Sequence, residues 1–205
     1  MVKQRTHNPL TGLDILKVQK ISKAQAWQRA GRAGRERAGA CYRIYTQKEF
    51  EKMSDTTVPE ILRCNLTGVV LNLLAMGVNA LTFDFMDKPP MESITEAMKQ
   101  LMYLGAIISV DHPELTQMGQ RMAQFPLDPC YSRMIIAAVE LGCVEEMLTL
   151  VSVLSTENIR VNAPKRKEEA AAAQQRFCSS TGDHITYLNI YREYAGSKTK
   201  KASLT

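Results

Sequence analysis

Long apolar runs are missing from this chain of 205 residues, tryptophan occurs once, and five cysteines are spread without a single C-x-x-C pair. The longest apolar stretch, Val69 to Val78, is interrupted by Asn72 and Gly77. It falls far short of the roughly 20 residues that span a bilayer, so no membrane segment is expected. Cys41, Cys64, Cys130, Cys143 and Cys178 have no His-x-x-x-His companion, so zinc-ligand spacing is absent and no metal site is expected. An odd cysteine count behind an N-terminus with no apolar leader points instead to buried free thiols in a reducing, intracellular compartment. In that setting Asn65-Leu66-Thr67 is an incidental glycosylation sequon.

What is present is ordinary globular material. Hydrophobic residues make up 45% and charged residues 23%, enough apolar surface for a core and too little charge for a disordered chain. At this length two or three packed pieces are expected. The formal charge of +5 suits an anionic partner such as nucleic acid, although a charge of this size serves solubility equally well.

Leu16, Val18 and Ile21, set between Lys17, Gln19 and Lys20, predict a short strand after a loop containing Asn8-Pro9 and Thr11-Gly12. Ser22, with Gln25 three residues on, forms a capping box that opens a helix running into a Gly/Arg segment. Gly39 to Tyr45 reads as a further strand, and the strand, helix, strand order suggests the edge of an α/β sheet. Leu66, Val69, Val70, Leu73 and Leu74 then share a helical face stopped by Gly77; Ile94, Ala97, Met98, Leu101 and Met102 repeat the design before Gly105. Ile107 to Val110 and Glu114 to Thr116, around Asp111-His112-Pro113, predict a hairpin, and helices followed by a hairpin resemble a winged helix.

Met134, Ile135, Ala138 and Leu141, then Val144, Met147, Leu148, Val151 and Leu154, give two amphipathic helices parted near Gly142. Pro164 suits the first turn of a helix filled by Glu168 to Phe177, with Lys165-Arg166-Lys167 solvated at its start. A last helix, His184 to Tyr194, turns Leu188 and Tyr191 inward, and Gly196 to Thr205 reads as a polar, fraying tail.

The chemistry is concentrated in Gln28-Arg29-Ala30-Gly31-Arg32-Ala33-Gly34-Arg35. On a helix, Gln28, Arg32 and Arg35 are separated by four and three residues and form one donor row. Planar, permanently charged guanidinium groups grip phosphate with paired hydrogen bonds. Gly31 and Gly34 each cost a helix about 1 kcal/mol relative to alanine, which a close backbone approach would justify. A solvated arginine helix and an RNA-binding arginine helix remain open on these residues alone.

The octet resembles motif VI of superfamily 2 helicases, and its lead-in Ser22-Lys23-Ala24-Gln25-Ala26-Trp27 is similar to the DEAH-box version. Gly39 to Tyr45 resembles the strand after motif VI, Val58-Pro59-Glu60-Ile61-Leu62-Arg63 the approach to that family's winged helix, and Phe83 to Pro90 a turn within it. Phe125-Pro126-Leu127-Asp128-Pro129 resembles the opening of the ratchet domain, and Gly182-Asp183-His184-Ile185-Thr186 a later part of it. The resemblance to DEAH-box RNA helicases implies that Arg32 and Arg35 are arginine fingers at the terminal phosphate of ATP. It implies that Gln28 contacts that phosphate or the attacking water, and that Arg29 is structural. It also implies that Lys3 approaches RNA, that ATP with Mg²⁺ is the intact family member's cofactor, and that helicase-activating or ribonucleoprotein partners exist in the nucleus, nucleolus or cytoplasm.

There are departures from the family pattern. No G-x-x-x-x-G-K-[ST] phosphate loop and no Asp-Glu-Ala-His run occurs, so the chain is expected to be a fragment that binds no cofactor tightly and hydrolyses nothing alone. The expected fold is α+β but mainly α: the end of a second RecA-like domain (1–56), a winged helix (57–124), a partial ratchet bundle (125–194) and a flexible tail (195–205). The expected function is the arginine-finger half of an RNA helicase motor with part of its RNA-binding C-terminal region. The alternative is a non-catalytic winged-helix and helical module that binds RNA or a helicase partner. Trp27 is expected to pack rather than to stack on a base, and Asn189 and Arg192 to be solvated.

Overall fold

The structure, a computed structural model, describes residues 1–8, 11–156 and 167–202. It is mainly helical, with one two-stranded sheet among the described residues, and it divides into two compact units, Met1–Pro129 and Cys130–Thr205.

The first unit opens with a hairpin. β1 (Val2–Asn8) and β2 (Leu13–Gln19) pair antiparallel, with Lys3 opposite Val18 and Arg5 opposite Leu16. The strand read at Leu16 is therefore β2, while β1, polar at nearly every position, carried no apolar alternation to betray it. Gly12, at φ +67°, closes the turn by donating to the Asn8 carbonyl at 2.8 Å. The free edge of β1 is partly covered: the His7 amide donates to the Arg63 carbonyl at 2.6 Å, and Arg63 Nη1 donates back to the Arg5 carbonyl at 2.8 Å.

α1 (Lys23–Ala30) follows with the expected Ser22/Gln25 capping box, the Gln25 amide donating to Ser22 Oγ at 3.2 Å and the Ser22 amide to Gln25 Oε1 at 3.3 Å. The strand expected over Gly39 to Tyr45 does not form. Alternation is present only from Tyr42 to Tyr45, with Tyr42 and Ile44 fully outward and Arg43 and Tyr45 half-buried, and no described strand lies beside the segment to complete a ladder. The sheet is thus a hairpin and not the edge of a strand, helix, strand layer. A short helix the sequence reading passed over, α2 (Gln47–Glu51), is capped reciprocally by Thr46 and Glu49.

α3 (Thr67–Ala75) and α4 (Met91–Tyr103) form the centre of this unit and pack on one another, burying Val70, Leu71 and Leu73 against Ile94, Ala97, Met98 and Leu101. Gly77, at φ +75°, stops α3 with its amide on Leu74 and that of Val78 on Leu73, the paired closure that a left-handed residue permits. Asn65 Oδ1 accepts the Thr67 amide at 2.8 Å and caps α3. The expected hairpin is reduced to one antiparallel bridge, Ile107 with Leu115, ahead of α5 (Gln117–Ala123). Gly119 lies so close to the Ala106 carbonyl that a β-carbon there would sit 2.2 Å from its oxygen, which seats α5 on the bridge.

The second unit contains α6 (Pro129–Leu141), α7 (Val144–Leu154), α8 (Lys167–Gln175) and α9 (Asp183–Ala202). Ile135, Ile136 and Ala138 of α6, Leu150 and Val151 of α7 and Leu188 of α9 are buried, and α7 packs on α9. Leu141 and Tyr191, expected inside, are 78% and 42% exposed. Each lies past the buried stripe of its helix, where an apolar side chain covers surface without entering the core. α9 runs on through Gly196 to Ala202 where a polar tail was expected. Pro164, Lys165 and Arg166 lie outside the described residues. The cysteines also differ from expectation: Cys41, Cys130 and Cys178 are exposed, Cys64 and Cys143 half-buried.

Candidate nucleotide and RNA interface

α1 ends before the donor row does. The helix spans Lys23 to Ala30, and Gly31–Gly34 tightens into a 3-10 turn, so Gln28, Arg32 and Arg35 do not lie on one continuous α-helix as the spacing implied. The glycines account for this, because each withdraws helix propensity within the same turn. Gln28, Arg32 and Arg35 are all exposed, and neither arginine forms an ion pair with a described carboxylate. Among the described residues, nothing outside the local turn lies within 4 Å of where a β-carbon would stand on Gly31 or Gly34, so the close approach that would justify them is not made by those residues. Arg29 turns the other way and donates to the Met1 carbonyl at 3.2 Å.

The first turn of α1 is occupied. The amides of Lys23 and Ala24 donate to the carbonyls of Ser54 and Asp55 at 2.8 and 3.0 Å, Lys23 Nζ reaches Asp55 Oδ1 at 2.8 Å, and Ser22 Oγ lies 3.1 Å from Thr57 Oγ1. These donors would otherwise offer an anion site at the helix N-terminus. Gln28, Arg32 and Arg35 stand toward and beyond the other end of α1. Beside them Arg43 lies over two rings, 4.7 Å from the Trp27 centroid and 4.9 Å from that of Phe50. Trp27 therefore packs at one side while remaining 63% exposed.

Lys3 is exposed on β1, sharing a face of the hairpin with Arg5, Leu16 and Val18. In the second unit Asn189 and Arg192 are engaged internally: Asn189 Nδ2 donates to the Phe177 carbonyl at 3.3 Å and Arg192 pairs with Glu146 at 3.6 Å. His7, without a companion in the sequence, meets Asp14 at 2.7 Å across the hairpin. A groove of 810 Å³ beside the bridge is lined by Leu74, Val78, Asp111, His112, Glu114 and Gln124, and none of the donor row lines it. Among the described residues no cluster of His, Cys, Asp and Glu could hold a metal, and no helix is long and apolar enough to cross a membrane.

Residues 97–127 match the winged-helix part, and residues 128–187 the ratchet-like part, of the helicase associated domain (HA2). The chain belongs to the DEAH-box RNA helicase family, as part of its C-terminal region. It is 52% identical over 196 residues to ATP-dependent RNA helicase DHX33 of Mus musculus. It is 47% identical over 200 residues to the protein of the same name in Drosophila melanogaster, and 45% identical over 193 residues to Pre-mRNA-splicing factor ATP-dependent RNA helicase DEAH10 of Arabidopsis thaliana. These matches take in 95%, 98% and 94% of this chain but 28%, 29% and 27% of the relatives, so the chain spans less than a third of their length.

Proposed function

We propose that this chain is the arginine-finger portion of an ATP-driven RNA helicase, joined to part of the region that holds RNA. In this reading residues 1–56 close a second RecA-like domain, 57–124 form a winged helix and 125–194 part of a ratchet domain. The observation that carries it is the donor row: Gln28, Arg32 and Arg35 face outward, and no described carboxylate neutralises the arginines. Three planar or amide donors in that state fit a polyphosphate. The sequence holds no G-x-x-x-x-G-K-[ST] phosphate loop and no Asp-Glu-Ala-His run, so in this reading the row completes a site whose other half lies elsewhere.

When ATP is bound in the complete site, phosphoryl transfer spreads negative charge over the terminal phosphate oxygens, and Arg32 and Arg35 donate to that charge. Gln28 orients the phosphate or the attacking water. RNA is the second anion. Of the charged side chains in residues 1–60, twelve are Lys or Arg and six are Asp or Glu, whereas the remaining 145 residues carry fourteen and fifteen. The positive field therefore belongs to the segment that holds Lys3 and the donor row, and it favours phosphate-backbone contact without base reading. An intracellular setting follows from these two substrates.

The test is ATP turnover by the full-length protein that carries this segment. Arg32→Ala or Arg35→Ala should lower turnover by about 10³ to 10⁵ while leaving RNA affinity within a few-fold, since fingers act on charge that develops in the transition state. A loss smaller than tenfold contradicts the assignment. The 205-residue chain alone should release no phosphate above background, with or without RNA.

A further inference from the structure

We infer that Arg43 is a positioning residue for the donor row, acting by closing the loop that carries it. This inference rests on the reading of Arg32 and Arg35 as fingers. The 3-10 turn and the segment behind it have little of their own to hold them: residues 31–42 are exposed throughout, and from Arg35 to Tyr45 no regular element forms. A loop of this kind samples many conformations unless its ends are tied. The structure ties them at Trp27, the residue before Gln28, and at Arg43.

The tie is a stack of four side chains. The Arg43 guanidinium lies 4.7 Å from the Trp27 centroid and 4.9 Å from the Phe50 centroid. Phe50 meets Trp27 edge-on at 6.2 Å, with an interplanar angle of 86°, and lies parallel to Tyr45 at 6.4 Å. Phe50 belongs to α2, whose own cap fixes it, so the stack anchors the far end of the loop on two helices at once. A second contact shortens the loop inside that closure. Gly39 rests on Ala33 so closely that a β-carbon at Gly39 would lie 2.0 Å from the Ala33 carbonyl oxygen. Ala33 stands between Arg32 and Arg35, so the backbone that aims both fingers is clamped from behind.

A guanidinium suits this role because it presents a flat, charged face to two rings while it pairs with no carboxylate among the described residues. Lysine would keep the charge and lose the plane. Misplacing a catalytic group by about an ångström costs about a hundredfold in rate, which sets the size of effect expected when the loop is released.

The experiment has two arms. In the full-length protein, Arg43→Ala should lower kcat for ATP by about ten- to a hundredfold with KM changed less than about twofold, because the fingers act only in the transition state; Arg43→Lys should recover part of the loss. In the 205-residue chain Trp27 is the sole tryptophan, so its emission reports on the stack alone. Arg43→Ala should raise its accessibility to a neutral quencher, and Arg43→Lys should raise it less. If Arg43→Ala does not fold, the same two readings are taken on Arg43→Lys and Phe50→Leu, which keep most of the packing. Unchanged kcat in variants that fold, alongside an Arg32→Ala variant that has lost turnover, would overturn the positioning role and leave the finger assignment standing. An Arg32→Ala variant that keeps its turnover would remove both. Trp27 quenching that ignores Arg43 would show that the stack does not form.

Discussion

Thr67 Oγ1 and Gln100 Oε1 meet at 2.6 Å where α3 crosses α4, and Thr67 is 1% exposed. Asn65 completes the knot, its Oδ1 2.5 Å from the same hydroxyl and its Nδ2 3.3 Å from Gln100 Oε1. Thr67→Val keeps the volume but removes the hydroxyl, while Gln100 Oε1 keeps the Asn65 Nδ2 donor and Asn65 Oδ1 keeps the Thr67 amide. The expected loss is that of one hydrogen bond, about 0.5–1.5 kcal/mol in the unfolding of the first unit, against a much smaller loss for Thr67→Ser. Denaturant titration of the two variants checks the ordering.

Gly119 and Gly77 are both glycines for steric reasons, but of different kinds. Gly119→Ala drives a β-carbon into the Ala106 carbonyl and should cost about 1–3 kcal/mol or more, because the obstacle is backbone that seats α5. Gly77→Ala meets nothing within 4 Å, and its penalty is the left-handed φ of +75° alone, about 1 kcal/mol. Thermal unfolding should show Gly119→Ala as the more harmful change.

Two carboxylates near α1 and α2 should make the first unit sensitive to acid. The Thr46 amide holds Glu49 below its ordinary value of 4.5, and the hydrogen bond from Lys23 holds Asp55 below its ordinary value of 3.8. A depressed folded pKa stabilises the protein fully above the ordinary value and ceases to do so as pH falls through the folded one. The Glu49→Gln, Asp55→Asn variant should therefore melt below the wild type at neutral pH, and the two curves should converge as pH falls below about 4.5. A gap that persists in acid would show that the carboxylates act by shape and not by charge.

Hydrogen exchange should grade the first unit. Amides of α3 and α4 lie around fully buried Val70, Ile94, Met98 and Leu101 and should exchange slowly. Those of residues 35–45, and of β2 with its exposed Leu13, Leu16 and Val18, should exchange fast. Limited proteolysis should make its first cut in residues 35–45.

The sequence made α3, α4, α6 and α7 legible because a buried stripe repeats with the period of a helix, and α3, α4 and α6 are each followed by a turn glycine, Gly77, Gly105 and Gly142. Gly39 to Tyr45 misled for the converse reason: alternation in one segment says which side chains point in, whereas a strand needs a neighbour that the segment itself does not encode. The candidate donors were legible because Gln28, Arg32 and Arg35 fall within one stretch of eight residues. Arg43, Phe50 and Gly39 were not, since their meaning comes from Trp27 and Ala33, which the fold brings to them. The thiols were misjudged because cysteine's usual preference for the interior yields to whatever face the local backbone assigns.

The first turn of α1 hangs from Ser54, Asp55 and Thr57, on the segment that continues into α3. α1 is tied to that segment as well as, through Arg29 and Trp27, to Met1 and Phe50. Under the proposed function, a push that begins at a phosphate on the arginine segment has in residues 54–57 a bonded route toward α3.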